Sequence, residues 1–265
     1  VNLPFEKMII MDNRKKIAFI TGASSGIGAA TARLLADKNF DLILCGRRKS
    51  NLENLANELS PKAKTHLLCF DVREVEAVSA AVENLPEEWK KIDVLINNAG
   101  NAHGLNPIQT GNLYDWEAMI DINLKGLLYV TRAVLPLMLE RQRGHILNIG
   151  SIAGIDAYEN GNVYCASKAA VDMLSKTMRI DLHRNNIKVS EVKPGMVETE
   201  FSLVRFKGDA ERAEKVYAGY TPLSAEDVAD LIAFIVTRPP HVNIADTLIL
   251  PSAQAKSGMV HKVLN

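Results

Sequence analysis

Cysteine is scarce: Cys45, Cys69 and Cys165 are the three in 265 residues. That is too few for a disulfide framework, and with no Cys-x-x-Cys or His-x-x-x-His spacing the sequence offers no metal site. A reducing, cytoplasmic setting is the expectation. An excess of either charge is also missing, since 31 Lys and Arg balance 31 Asp and Glu. No global field draws nucleic acid or anionic lipid, so neither is expected as a partner. No run reaches the roughly eighteen apolar residues of a membrane span. The stretch from Val1 to Lys16 lacks the charged, apolar, small order of a signal peptide. Linkers, repeats and low-complexity tracts are lacking too, which points to one domain over 16–265. Because Val1 is no initiator and Met11 sits just before the first apolar run, residues 1–15 are set aside as an N-terminal arm or a remnant foreign to the fold.

What is present is an ordinary globular composition, 47% apolar and 23% charged, arranged in a repeating pattern. Short apolar runs that predict buried strands fall at Lys16–Ile20, Asp41–Cys45, His66–Phe70, Asp93–Ile96, His145–Ile149, Lys188–Val192 and Thr247–Leu250. Helical spacing fills the intervals: Ile27–Asp37, Ser50–Leu59, Glu74–Leu85, Tyr114–Arg141, Val163–Arg184 and Ala225–Thr237. Such alternation predicts an α/β fold, a doubly wound parallel sheet of Rossmann type, with ligands outside the carboxyl ends of the strands. Pro136 predicts a kink or break in the long fourth helical segment. Residues 198–222 lack periodicity and carry many charges, which suggests a partly helical flap over the site.

Directly after the first strand comes Thr21-Gly22-Ala23-Ser24-Ser25-Gly26-Ile27-Gly28. Gly22 permits a tight turn, Gly26 a close approach to a pyrophosphate, and Gly28 close packing of the helix, whose N-terminus offers free N–H groups to an anion. Where an NAD-binding sheet carries an acidic residue, at the end of the second strand, this chain has Cys45-Gly46-Arg47-Arg48. Two guanidinium groups suit a 2′-phosphate, so NADP is the expected cofactor. Tyr164 and Lys168 stand one helical turn apart, and a cation beside a phenol lowers its pKa from about 10. Ser151 ends the fifth strand, Asn97-Asn98-Ala99-Gly100 closes the fourth, and Asn123 lies in the helical segment beyond it. Asn123 is either a surface residue or buried to hold a water behind Lys168.

Together these residues resemble the short-chain dehydrogenase/reductase family in its single-domain form. The resemblance spans nearly the whole chain. It implies that Thr21–Gly28, with Ser24, Ser25 and Ile27, form the cofactor turn, and that Asp71 and Val72 touch adenine. It further implies that Asn97–Gly100 stabilise the sheet and that Pro194, Gly195, Val197 and Thr199 lie on the nicotinamide side. The implied tetrad is Asn123, Ser151, Tyr164 and Lys168: Tyr164 as acid/base, Ser151 orienting the substrate oxygen, Lys168 on ribose, Asn123 anchoring a relay water. The family usually forms tetramers through the segments near Tyr114–Arg141 and Val163–Arg184, so a homotetramer is implied as well. Leu85–Trp89, Met119–Asp121, Gly161–Tyr164, Phe201–Asp209 and Pro239–Ile244 are similar to a subgroup of NADP-dependent 3-hydroxy acid dehydrogenases acting on L-serine, L-allo-threonine and 3-hydroxypropionate. A carboxylate substrate needs a cationic partner near the flap, and Arg205 is the candidate, against a solvent-facing or intersubunit Arg205. A broad carbonyl or 3-oxoacyl reductase, and a non-catalytic NADP-sensing module, remain open.

Overall fold

Runs buried on both faces have no polar side to show water, so they form parallel strands covered by helices. The computed structural model describes residues 14–263, and residues 1–13 of the expected arm lie outside them. The strands are β1 (Lys16–Thr21), β2 (Phe40–Gly46), β3 (Thr65–Cys69), β4 (Ile92–Asn97), β5 (Gly144–Ile149), β6 (Ile187–Pro194) and β7 (Asp246–Ile249). They pair in parallel in the order β3-β2-β1-β4-β5-β6-β7. On one face lie α1 (Gly26–Asp37), α2 (Lys49–Leu59) and α9 (Ala225–Val236), whose leucines, valines and alanines share a core with the sheet. The opposite face is covered by α3 (Val75–Glu83), α5 (Leu127–Glu140) and α6 (Asn162–Leu182). This is the expected doubly wound, Rossmann-type single domain.

Strand order reverses between β1 and β4, and a crevice opens at such a switch point. Side chains lock its two walls together. The Thr21 hydroxyl accepts from Asn98 N (2.9 Å) and Ala99 N (3.0 Å), while Asn98 Nδ2 donates to Thr21 O (2.9 Å). Residues just ahead of β1 are also tied down: Arg14 pairs with buried Asp93 (2.7 Å) and Lys15 Nζ donates to Lys62 O (2.7 Å).

The long fourth helical segment is irregular in a different place from the one expected. Helix continues through Pro136, and the irregularity is a π-helical stretch, Asp121–Gly126, between α4 (Leu113–Ile120) and α5. Pro136 is exposed, so the carbonyl its ring leaves unpaired one turn earlier meets water and no break is needed. Widening at Asp121–Gly126 instead turns Asn123 into the protein, a common use of π-bulges. Among the described residues, Leu113–Glu140 alone passes as a membrane span by length and composition. Its residues Val130, Val134 and Met138, however, are packed in the sheet's core.

Two short helices, α7 (Phe201–Arg205) and α8 (Ala210–Tyr217), occupy the aperiodic segment before α9. A hairpin of β8 (Gln254–Lys256) and β9 (Met259–Val260) follows β7. It is too short to leave a periodic signal, and Ser257 N anchors it to Asp156 Oδ2 (2.8 Å).

Candidate active site

A cleft of about 540 Å³ runs along the carboxyl ends of the strands, within the range usual for ligand sites. Every residue assigned from sequence to the cofactor lines it except Thr21, Ala23 and Gly28 of the glycine turn, and Ser151 and Arg205 line it too. Gly28 acts from behind. A Cβ there would lie 2.3 Å from Gly22 O, so only glycine lets α1 start this close to the turn. Gly22 itself adopts φ +67, a left-handed conformation costly for other residues.

Helix α1 is preceded at its N-cap by Ser25, whose side chain makes no capping hydrogen bond, and its first turn carries no acidic residue. Its N–H groups and dipole therefore remain directed at the cleft, an arrangement that fits a diphosphate. At the end of β2, Arg47 is largely exposed and lies 3.5 Å from Asp71. Arg48 spans the mouth: it donates to Ser25 Oγ (2.6 Å) and pairs with Glu200 on the flap side (2.8 Å). A donor set of helix N–H groups and guanidinium ions fits a phosphorylated dinucleotide.

Further along the cleft, Tyr164 and Lys168 emerge from the first turns of α6, both buried. Lys168 Nζ donates to Ile149 O (2.9 Å) at the end of β5. Burial lowers its pKa to about 8, opposed by the carboxylate of Glu191. Tyr164 departs from expectation. Burial, reinforced by the neighbouring Tyr158, pushes its phenol above the ordinary value, and the hydrogen bond with Ser151 and the charge of Arg205 only partly oppose this. Lys168 spends its contact on Ile149 O, and desolvation of the phenolate outweighs nearby positive charge. The phenol is therefore held protonated. Ser151 Oγ accepts from Ala153 N (3.1 Å), which turns its own proton toward Tyr164.

Asn123 is buried, not a surface residue. Its Nδ2 donates to Asn101 O (2.9 Å) and Ser167 Oγ (3.0 Å), and its Oδ1 accepts from Asn101 N (2.8 Å). Both amide hydrogens are committed, so a water held here meets only Oδ1 or main chain. Gly100 separates it from Lys168: a Cβ at Gly100 would approach Asn123 Oδ1 to 3.1 Å and Lys168 Nζ to 3.5 Å.

Arg205 is half-buried at the end of α7. Its Nε donates to Gly104 O (3.1 Å), its Nη2 donates to the Tyr158 hydroxyl (2.7 Å), and its guanidinium lies 5.7 Å from the centre of the Tyr164 ring. Sequence reasoning missed Tyr158, Phe201, Glu200 and the hairpin residues Ser257 and Gly258, which also line the cleft. Tyr158 sits in a turn without a motif; its position seven residues beyond Ser151 was the one available signal.

The short chain dehydrogenase profile matches residues 16–209. This chain belongs to that family. The NADP-dependent 3-hydroxy acid dehydrogenase YdfG of Salmonella typhi is 46% identical over 248 residues, 93% of this chain and 99% of that protein. Sulfoacetaldehyde reductase 2 of Chromohalobacter salexigens is also 46% identical, over 91% of this chain and 96% of its own. Among solved short-chain dehydrogenases, the closed form of serine dehydrogenase complexed with NADP+ superposes with a TM-score of 0.88 at 44% identity, covering 93% of this chain and all of that one.

Proposed function

We propose that the chain is an NADP-dependent oxidoreductase that interconverts small 3-hydroxy acids, of the L-serine, L-allo-threonine and 3-hydroxypropionate type, with their 3-oxo forms. The observation that carries this reading is one continuous cleft holding Arg47 at one end and Tyr164, Ser151 and Arg205 at the other. NADP, when bound, supplies the acceptor or donor of the hydride. Gly22, Ser24, Ser25, Gly26 and Ile27 would hold its diphosphate and Arg47 with Arg48 its 2′-phosphate. Asp71 and Val72 would face adenine, Asn98, Ala99, Gly100 and Lys168 ribose, and Pro194, Gly195, Val197 and Thr199 the nicotinamide.

Tyr164 moves the proton. In reduction its hydroxyl donates to the carbonyl oxygen, which Ser151 Oγ orients by a second hydrogen bond, and Tyr164 is left as phenolate; in oxidation the phenolate takes the substrate's hydroxyl proton. A phenol kept protonated by burial suits the first of these. Asn123 braces the loop behind Lys168, and Arg205 binds the substrate's acid group. A 3-oxo acid released by the chain loses carbon dioxide readily, so serine would end as aminoacetaldehyde.

The similarity to a sulfoacetaldehyde reductase favours a second reading in which Arg205 holds a sulfonate. Turnover with NADP(H) and NAD(H) of serine, allo-threonine, 3-hydroxypropionate, sulfoacetaldehyde and a neutral carbonyl separates these readings. Preference for the neutral compound would indicate a broad carbonyl reductase, and binding without turnover an NADP sensor. We also read 16–265 as one catalytic unit with a flap at 198–222, in a cytoplasmic homotetramer. Exposed Met173 and Ile180 on α6, and Leu113, Tyr114 and Leu128 on α4 and α5, support association through those helices. Light scattering at increasing concentration tests it.

A further inference from the structure

Between α6 and β6 lies a seam of charge where an apolar contact would be expected. Lys168, Asp172 and Ser175 fall on one face of α6 at four- and three-residue steps, and all three are buried. Glu191 and Lys193, two apart on β6, meet them and are each 1% exposed. Lys193 Nζ lies 2.9 Å from Asp172 Oδ1 and 3.6 Å from Glu191 Oε2. It also pairs with Asp246 on β7 at the rim, where Lys176 closes on Asp172 (2.6 Å). The seam is thus balanced at its outer end. At its inner end, Glu191 Oε1 is buried without a hydrogen-bond partner.

That oxygen lies against the support of Lys168. A Cβ at Gly150 would come within 2.0 Å of Glu191 Oε1, so glycine is what allows the carboxyl to reach this point. Gly150 follows Ile149, whose carbonyl receives Lys168 Nζ, and Gly150 N itself donates to Val192 O, the residue after Glu191 (2.8 Å). The carboxyl and the ammonium therefore flank the same strand end.

Lys193 answers only one side of the Glu191 carboxyl, a buried carboxylate oxygen left without a partner is costly, and the cation of the active site that feels this charge is Lys168. We propose that Glu191 is a positioning residue for the active site, a buried carboxylate that keeps Lys168 cationic. The proposal rests on the reading of Lys168 as part of the working site. Burial raises Glu191 to about 7, with Lys193 opposing and Asp172 and Asp246 adding to the rise, while Lys168 sits at about 8. Between those values the pair is carboxylate and ammonium. Removing the carboxylate lets the ammonium lose its proton at lower pH.

The test is the pH profile of kcat for NADPH-dependent reduction in Glu191→Gln and Glu191→Asp, with folding followed by circular dichroism. In Glu191→Gln the alkaline limb should move to lower pH by about half a unit or more, and in Glu191→Asp by less. Infrared titration of the cofactor-free protein gives a second readout, independent of turnover: a carboxyl band that titrates near pH 7 in the wild type and is missing in Glu191→Gln. If Glu191→Gln does not fold, the Asp variant and the wild-type band carry the test. A folded variant with the wild-type limb, or a wild type without the band, overturns the proposal. Wild-type turnover with NADPH is the separate check on the reading beneath it.

Discussion

Arg205 and Tyr158 meet across the substrate end of the cleft: Nη2 of the arginine donates to the tyrosine hydroxyl at 2.7 Å, and the guanidinium also lies over the Tyr158 ring at 5.4 Å. The contact fixes one edge of the guanidinium and aims the remainder at the space beside Tyr164. Hydrogen bonds to charged groups contribute about 1.5–3 kcal/mol, so Arg205→Ala should lower kcat/KM for acid substrates by about tenfold to a hundredfold. Neutral carbonyls should be spared. Equal losses for both classes in parallel kinetic runs would remove Arg205 from substrate recognition.

Tyr164→Phe removes only the hydroxyl from a ring packed edge-on to Phe201. Folding and NADP affinity should therefore persist while turnover falls by about two to four orders of magnitude, the usual contribution of a positioned proton donor. Fluorescence titration with NADPH and steady-state assays on one preparation check both halves. Near-normal turnover would dismiss Tyr164 as the proton carrier.

At the cofactor end the two arginines are not equivalent. Arg48 is engaged with Ser25 and Glu200, whereas Arg47 is more exposed and its side chain has, among the described residues, only a distant ion pair with Asp71. Arg47→Asp should weaken NADP at least roughly tenfold through the loss of one charge-assisted contact and the addition of a repulsive one. NAD affinity should change far less, and calorimetry with both dinucleotides measures the ratio. An unaltered ratio would place the 2′-phosphate elsewhere.

These expectations mix what the residues announce locally with what only packing reveals. The glycine turn, the strand ends and the Tyr164/Lys168 spacing are legible because backbone geometry and helical period dictate them. Meetings such as Arg205 with Tyr158, 47 positions apart, leave no periodic trace. Nor does the π-helical turn at Asn123, which arises where Asn101 and Ser167 satisfy the side chain. The upward shift of Tyr164 in the cofactor-free protein is hidden for the same reason: a neighbouring lysine is visible in sequence, but burial of the phenol is not.

Acid stability offers a test with a definite sign. His145 on β5 is 3% exposed, its Nε2 is 2.8 Å from Ser190 Oγ, and burial lowers its pKa to about 3, with Lys188 and Lys16 adding to the effect. An unfolded histidine titrates near about 6.5. Between those values the unfolded chain takes up a proton that the native state refuses, so acidification costs up to about 1.4 kcal/mol per pH unit. Glu191 acts in the opposite sense: its raised native pKa of about 7 gives a contribution that is present at low pH and lost as pH rises through that value. Comparing the wild type with His145→Gln, which keeps a polar partner for Ser190, cancels the Glu191 contribution. Urea unfolding at neutral pH and at mildly acid pH should show the variant gaining on the wild type as pH falls. A constant gap would mean that native His145 takes up its proton as easily as the unfolded chain does.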